Sequence, residues 1–341
     1  MSYATIHATP PVTRSPESRA EFAALVSGCG VFDLSNRSKI SLSGKDRVRW
    51  LNGMITNKVR DLAEGQGIYA FVLNPQGHIL GDLYTYNRGD WLLIDTDQAQ
   101  AEKLLGIFRK YIIMDKVELA ELSGRLTTIG IAGPKARQIL HAARFELQEL
   151  EVLQVMDLTR SETPITVVRK DNLALDWYEI WVAPEQVAAV RESLTSAGAA
   201  SVSSDAVELL RIASGIPRYG QDIRERDLPQ ETEQLHALNF NKGCYIGQEI
   251  VERIRSRGAV HRKFGGFEVT GALPALGSKV QAEGKDVGEV TSAALLPLAK
   301  GDRPVALGYI RREAANAGQR LQAGDAQLSV TPVPFEGIFP K

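Results

Sequence analysis

In Lys242-Gly243-Cys244-Tyr245-Ile246-Gly247-Gln248-Glu249, two glycines flank a cysteine, and a lysine precedes that cysteine by two residues. After Gly247 come Ile250 and Ile254, four apart, which is the spacing of one helix face. A helix is therefore expected to start near Gly247 with both isoleucines inward. A thiol just ahead of a helix N-terminus and two residues from an ammonium is expected to ionise more readily than a free one. Cys244 is then a nucleophile, a redox thiol or a soft-metal ligand. The alternative is a buried, inert cysteine, the commoner fate of a lone one.

Downstream the chain turns basic, with Arg253, Arg255, Arg257, Arg262 and Lys263 beside His261. Such a run is either a solvated face or a site for a ligand's carboxylate tail or a phosphate backbone. No aromatics interleave it, so single-stranded nucleic acid fits it less well. Beyond Lys263 the composition changes. Phe264 to Val269, Lys279 to Ala282, Val287 to Ser292, Val305 to Ile310 and Gln327 to Val330 are short strands between Gly, Pro and charged turns, the pattern of a small all-β barrel or sandwich. Residues 15–258 and 263–341 are accordingly read as separate regions.

Upstream of the motif, helices and strands interleave. Ser15-Pro16-Glu17 reads as a capped helix start, with Phe22, Leu25 and Val26 on its apolar face and Gly28 as its stop. Gly28-Cys29-Gly30 follows a helix and lacks a third glycine, so it is not a dinucleotide loop. Ser43-Gly-Lys-Asp46 resembles a capping box ahead of a helix carrying Val48, Trp50 and Leu51. Ile68 to Leu73 and Ile79 to Tyr86 read as a hairpin closed by Asn74-Pro75-Gln76-Gly77. The regular β-α-β spacing of a doubly wound sheet is missing, so the class is α+β.

Bulk properties narrow the functions. The 341 residues suffice for two or three domains, and the formal charge of -1 gives no global attraction to nucleic acid or anionic membrane. Two cysteines, Cys29 and Cys244, make no disulfide framework. The polar, proline-bearing Met1 to Arg14 has no apolar core of a signal peptide, so a cytoplasmic monomer is the default expectation. Zinc spacing and a G-x-S-x-G elbow are absent, and no metal site is expected.

Two carboxylates look out of place. Asp82 shares a strand face with Leu80, Tyr84 and Tyr86, and Glu179 lies between Trp177 and Trp181 on another. Burying such a group is costly unless donors meet it. Asp82 is therefore either exposed or turn-capping, or it faces a ligand; Glu179 is either in a structural salt bridge or in the same role. A flat heteroaromatic ligand with two ring N–H groups would satisfy a carboxylate bidentately between aromatic walls.

The motif Lys242 to Glu249 resembles the K-G-C-[FY]-x-G-Q-[DE] signature of the YgfZ proteins. Gly30-Val-Phe-Asp-Leu34, Trp50-Leu-Asn-Gly-Met-Ile-Thr-Asn57, Leu73-Asn-Pro-Gln-Gly77 and Arg211-Ile-Ala-Ser-Gly-Ile-Pro-Arg-Tyr-Gly-Gln-Asp222 are similar to both YgfZ and the aminomethyltransferase T-protein of glycine cleavage. The resemblance runs from about Ser15 to the C-terminus. It implies an α+β cloverleaf of three domains around a central hole, two α+β and discontinuous, the third a C-terminal β-barrel. It further implies that tetrahydrofolate or a one-carbon derivative binds in the hole, and that the partners are iron–sulfur enzymes or their assembly proteins, a tRNA methylthiotransferase included. Asp82 matches the second of two T-protein aspartates, Gly81 replacing the first. Glu179 resembles the glutamate that holds the pteridine, beside Trp177, and Arg211 and Tyr219 lie in the segment packing toward the folate. On this resemblance Arg211 or the basic run would meet the glutamate tail, and Cys244 would act at the cavity edge as a redox or cluster-contacting thiol. Cys244 and the lost aspartate favour YgfZ over a true T-protein. A folate-dependent aminomethyl or methyl transferase, and an RNA or protein adaptor using the basic run, stand as alternatives.

Overall fold

The computed structural model of the protein describes residues 16–160, 162–172, 174–258, 260–315 and 320–340. Ser15, the expected helix cap, lies outside them. The chain opens with α1 (Pro16–Ser27), β1 (Gly30–Asp33), β2 (Arg37–Ser43), α2 (Arg47–Met54), β3 (Gly67–Leu73), β4 (Ile79–Asn87), β5 (Leu92–Asp97), α3 (Gln98–Tyr111) and β6 (Glu118–Glu121). It continues with β7 (Thr127–Ala132), α4 (Ala136–Ala142), β8 (Val155–Arg160), β9 (Thr163–Arg169), β10 (Trp177–Val182), α5 (Val187–Ser196), β11 (Ala200–Ser201), α6 (Ser204–Ala213) and α7 (Gln248–Arg257). Last come β12 (Arg262–Thr270), β13 (Lys279–Ala282), β14 (Lys285–Leu298), β15 (Gly301–Arg311), β16 (Leu321–Ala323) and β17 (Ala326–Thr331).

These strands build a six-stranded sheet in the order β11-β1-β7-β10-β9-β8, a five-stranded sheet in the order β3-β4-β5-β2-β6, and a closed barrel β12-β15-β14-β13-β16-β17. The expected mixed α+β class and C-terminal barrel are thus what the chain adopts. The first sheet takes strands from both sides of the second in sequence, because β1 pairs with β7 and β11 while β2 leaves to join β5 and β6. Each sheet buries one face under its helices. Trp50, Leu51, Leu104 and Phe108 cover the five-stranded sheet, and Ile139, Leu140, Val190 and Leu194 the six-stranded one. The barrel turns Phe264, Leu307 and Tyr309 outward onto Leu209 and Ile212 of α6, while Phe267, Val269, Val290 and Ile310 fill its inside. This alternation along β12 seats the barrel against the rest of the molecule.

Two motifs singled out in the sequence touch here. The β3–β4 hairpin closes with Gly77 N–H donating to the Asn74 carbonyl at 2.9 Å, at φ +78°. Gly247, at φ +82°, lies so close to that turn that a Cβ would stand 2.6 Å from the Asn74 oxygen. Only glycine fits this approach and this backbone.

Several expectations shift. No capping box forms at α2: Asp46 is the N-cap, but its carboxylate accepts the Lys116 N–H at 2.8 Å instead of a helix donor. On α7 the buried residue is Val251, with Ile250 and Ile254 only half-buried. The strands β6, β8, β11 and β16 escaped the sequence reading. They are short or at sheet margins, and β6 reads Glu-Leu-Ala-Glu, mostly exposed, with too little apolar alternation to show. No described helix is long and apolar enough to cross a membrane.

Candidate functional site

A cavity of about 1490 Å³ lies where the two sheets, α6 and the barrel meet. Asp82, Trp177, Glu179, Arg211 and Tyr219, from well-separated parts of the chain, all line it. Lys242, Cys244 and Tyr245 do not, nor do Arg253, Arg255 and Arg262.

Asp82 projects from β4 into the cavity wall. Its Oδ2 accepts the Tyr69 hydroxyl at 2.7 Å and its Oδ1 accepts Gln100 Nε2 at 2.6 Å. The Asp82 N–H donates back to Gln100 Oε1 at 3.1 Å. Burial raises the carboxyl above its ordinary value, and the two neutral donors only partly oppose that. An acid so placed exchanges a proton nearer neutrality than an exposed one does. Beside it, a Cβ at Gly81 would stand 2.8 Å from Gln100 Oε1 and 2.8 Å from Leu104 Cδ2, the ends of two α3 side chains that would have to shift.

Glu179 is buried on β10, where Trp177 and Trp181 share its face. Its Oε2 accepts Trp181 Nε1 at 3.1 Å, and Lys170 Nζ stands 3.6 Å from Oε1. The Trp177 ring meets Phe32 edge-on at 5.1 Å, and its buried Nε1 finds no acceptor among the described residues. Lys170 Nζ lies 3.2 Å from the Tyr84 ring centroid and 3.2 Å from the Tyr86 hydroxyl.

Behind this floor Asp95 is fully buried. Arg37 grips it with Nε and Nη2 at 3.1 and 2.8 Å, and Lys39 Nζ adds a bond at 2.8 Å. Burial alone would raise the Asp95 carboxyl, but the Arg37 and Lys39 charges hold it far below the usual carboxylate range. Burial in turn pulls Lys39 down, against the opposing pull of Asp95 and Glu179.

The far wall carries a second acid. Asp171 accepts the Tyr84 hydroxyl at 2.9 Å and faces His236 Nε2 at 3.4 Å. Burial would raise it, yet His236 and Lys170 keep it below its ordinary value. The His236 ring stacks on Tyr69 at 5.4 Å. Tyr69, Gln100, Lys170, Asp171 and His236 were all missed in the sequence. The readable signal was the hairpin itself, which sets Tyr69 directly opposite Tyr84.

Two expected ligand contacts are already engaged. Arg211 is buried, and all five N–H positions are used: Nε and Nη2 on Glu208, Nη1 on Asp222 and the Ile216 carbonyl, and Nη2 also on Ser292. It joins α6 to the barrel and has no donor left for a ligand tail. The Tyr219 hydroxyl donates to the Leu80 carbonyl at 2.7 Å and accepts Lys103 Nζ at 2.6 Å, so its ring is what it offers the cavity.

The Lys242–Gly247 loop lies elsewhere. Cys244 is exposed, outside the cavity lining rather than at its edge, whereas burial pushes the Cys29 thiol up to about 12. Lys242 does not sit free beside the thiol. It turns inward, and its Nζ donates at 2.6 Å to each of the carbonyls of Asn52, Ile55 and Asn57. Burial lowers it to about 7, while three acceptors call for the three hydrogens that only the ammonium has. Tyr245 is buried with Phe71, Ile79 and Val251, Gln248 Oε1 accepts the Tyr245 N–H at 3.2 Å, and Glu249 is exposed. Gly243 has nothing near where a Cβ would stand, so crowding does not explain it.

The basic run is largely compensated. Arg262 holds Asp227 at 2.7 Å and Glu231 at 2.9 Å. Arg253 faces Glu249 at 3.7 Å, and Arg255 faces Glu252 at 3.6 Å and covers the Phe240 ring. The Arg257 side chain is outside the described residues. Among the described residues no cluster of His, Cys, Asp and Glu is arranged to hold a metal ion.

Two sheets with their helices and a closed barrel around one acid-bearing, aromatic-walled cavity make up the aminomethyltransferase fold. The chain belongs to the family of the GCVT N-terminal domain, whose model matches residues 5–242; the CAF17 C-terminal beta-barrel domain matches residues 262–335. The chain is 27% identical to an aminomethyltransferase of Rubrobacter xylanophilus over 93% of its own length and 86% of the relative's. It is 28% identical to a putative chloroplastic transferase of Arabidopsis thaliana, over 92% of its own length and 72% of the relative's. Its fold is that of the glycine cleavage system aminomethyltransferase T from Bartonella henselae, at a TM-score of 0.84 and 23% identity, over 97% and 92% of the two chains.

Proposed function

We propose that the protein binds tetrahydrofolate, or a one-carbon derivative of it, in the central cavity, and serves as a YgfZ-type accessory factor in the assembly or maintenance of iron–sulfur enzymes, tRNA methylthiolation included. The observation that carries the folate reading is the convergence of Asp82, Glu179 and Trp177 on one cavity. A pteridine's N–H donors match the Glu179 carboxylate, which the Trp181 N–H already orients, and Trp177 and Tyr84 supply flat apolar contact. Asp82, raised by burial, is suited to give or take a proton at the reactive end of such a ligand. The CAF17-type barrel and the Lys242-to-Glu249 motif support the YgfZ lineage and, through it, the iron–sulfur role. Cys244, exposed and outside the cavity, is placed to meet a partner protein's thiols or cluster rather than the folate itself.

The test has two arms. Tetrahydrofolate should quench or shift the emission of Trp177 and Trp181 saturably, and Glu179→Ala should weaken that binding. Cys244→Ala should fold normally yet fail to support iron–sulfur enzyme activity in cells lacking the wild-type chain. No saturable binding by the wild type would remove the first claim, and full support by Cys244→Ala the second.

Aminomethyl or methyl transfer to folate is the second reading, favoured by the names of the relatives and by Asp82. Against it stands Gly81, which leaves Asp82 without a paired carboxylate. Turnover of an aminomethylated carrier by the purified protein would establish it. A nucleic-acid adaptor gains no support from a basic run whose described arginines face acids.

A further inference from the structure

Asp82, Asp171 and Glu179 all line the cavity, and one ammonium serves them. Lys170 Nζ stands 3.6 Å from Glu179 and 3.8 Å from Asp95, and its charge also acts on Asp171. Arg37 and Lys39 do not relieve the shortage, because both are bonded to Asp95 behind the wall. Asp82 has only neutral hydrogen-bond partners, the Tyr69 hydroxyl and the Gln100 amide. Asp171 has the Tyr84 hydroxyl and, at 3.4 Å, the exposed His236. Asp82 and Asp171 also act on one spot. Tyr69 and Tyr84 are directly paired across β3 and β4, with ring centroids 4.9 Å apart. Tyr69 donates to Asp82 and Tyr84 to Asp171. Burial raises both phenols, and each is raised further by both carboxylates, so the two acids lie within electrostatic reach of the same ring pair. A flat group held against this pair meets negative charge from two directions, an environment that favours a cation over a neutral group of the same shape.

We propose that the wall formed by Asp82 and Asp171 is a cation site, and that the ligand state it selects is 5,10-methenyltetrahydrofolate. This rests on the folate reading above and extends it to the one-carbon state. In tetrahydrofolate and its 5-formyl derivative the region of N5 and N10 is uncharged. A methenyl bridge between those nitrogens turns the region into a flat, permanently positive amidinium. That charge supplies the cation the three carboxylates lack, and no internal ion pair has to break to receive it. A one-carbon state that brings no charge gains nothing at this wall.

The test titrates three probes, tetrahydrofolate, 5-formyltetrahydrofolate and 5,10-methenyltetrahydrofolate, against tryptophan emission at neutral pH, by rapid mixing within the lifetime of the methenyl form. The wild type should bind the methenyl form at least about tenfold more tightly than the 5-formyl form, which differs from it by one added water. Asp171→Asn, whose amide oxygen can still accept the Tyr84 hydroxyl, should lose most of that preference while binding the 5-formyl form as the wild type does. Asp171→Glu, which keeps the charge, should retain it. Equal binding of the methenyl and 5-formyl forms by the wild type, or an undiminished preference in Asp171→Asn, would overturn the proposal and leave the folate site standing. Binding of none of the three probes would overturn the folate reading and this site together. The wild-type comparison decides the matter whether or not the variants fold.

Discussion

Asp82, Glu179 and Asp171 line the cavity, each held by hydrogen-bond donors, whereas in the Lys242–Gly247 loop the lysine turns inward and the cysteine outward. The first arrangement keeps charge and proton-exchanging groups in a recess. The second uses its charge to anchor the loop and leaves the thiol to the outside. Asn57 lies between the two. Its side-chain amide donates at 2.9 Å to the Tyr69 and His236 carbonyls at the cavity, and its own carbonyl accepts Lys242. Two chemically different surfaces are thus mounted on one segment.

The largest expected effect is behind the cavity. Asp95→Ala would leave Arg37 and Lys39 facing each other without their anion, at a cost of about 3–5 kcal/mol in urea unfolding. The sign with pH follows from the lowered carboxyl. Stability carried by Asp95 is fully present above the ordinary carboxylate range and is lost only as pH falls through the lower folded value. The wild type should therefore show an acid-unfolding limb that Asp95→Ala lacks, and identical limbs would count against the network. Next is Lys242→Met, which strips three buried carbonyls of their donor. It should cost about 2–3 kcal/mol and speed amide exchange in residues 242–247, and unchanged exchange would show that the loop is held by other contacts.

Asp82→Asn sharpens the comparison from the other side. Because the folded Asp82 carboxyl is raised, the folded chain holds that proton more tightly than the unfolded one, and its stabilisation fades as pH rises through the raised value. A neutral asparagine should therefore be more stable than the ionised carboxylate near neutral pH, as urea unfolding would show. Lower stability at neutral pH would mean that the carboxylate is worth more than its burial costs. The smallest effect belongs to the exposed helix: Arg253→Gln with Arg255→Gln should change stability by under about 0.5 kcal/mol, as exposed i,i+3 and i,i+4 pairs do, and a larger loss would reveal a role in packing.

The same contrast shows what could be read in the sequence. Strand alternation exposed Asp82 and Glu179 because a carboxylate among Tyr and Trp breaks a local pattern, and pattern breaks are visible in one dimension. The barrel was visible too, as short strands between turns. Lys170, Asp171 and His236 were not, since each looks ordinary beside its neighbours and gains meaning only when the loop before β10 and the Leu235–Ala237 turn meet at the β3–β4 hairpin. Lys242 shows the opposite failure. Its nearness to Cys244 along the chain suggested an activated thiol, but three carbonyls from the end of α2, distant in sequence, draw its ammonium away.

The central claim, that the ligand cavity and the thiol loop are separate surfaces, is tested most directly by tetrahydrofolate affinity in Cys244→Ala and Glu179→Ala measured side by side. Cys244→Ala should bind as the wild type does, and Glu179→Ala should bind at least about tenfold more weakly. Equal weakening by both substitutions would place the thiol in the ligand site and contradict the account.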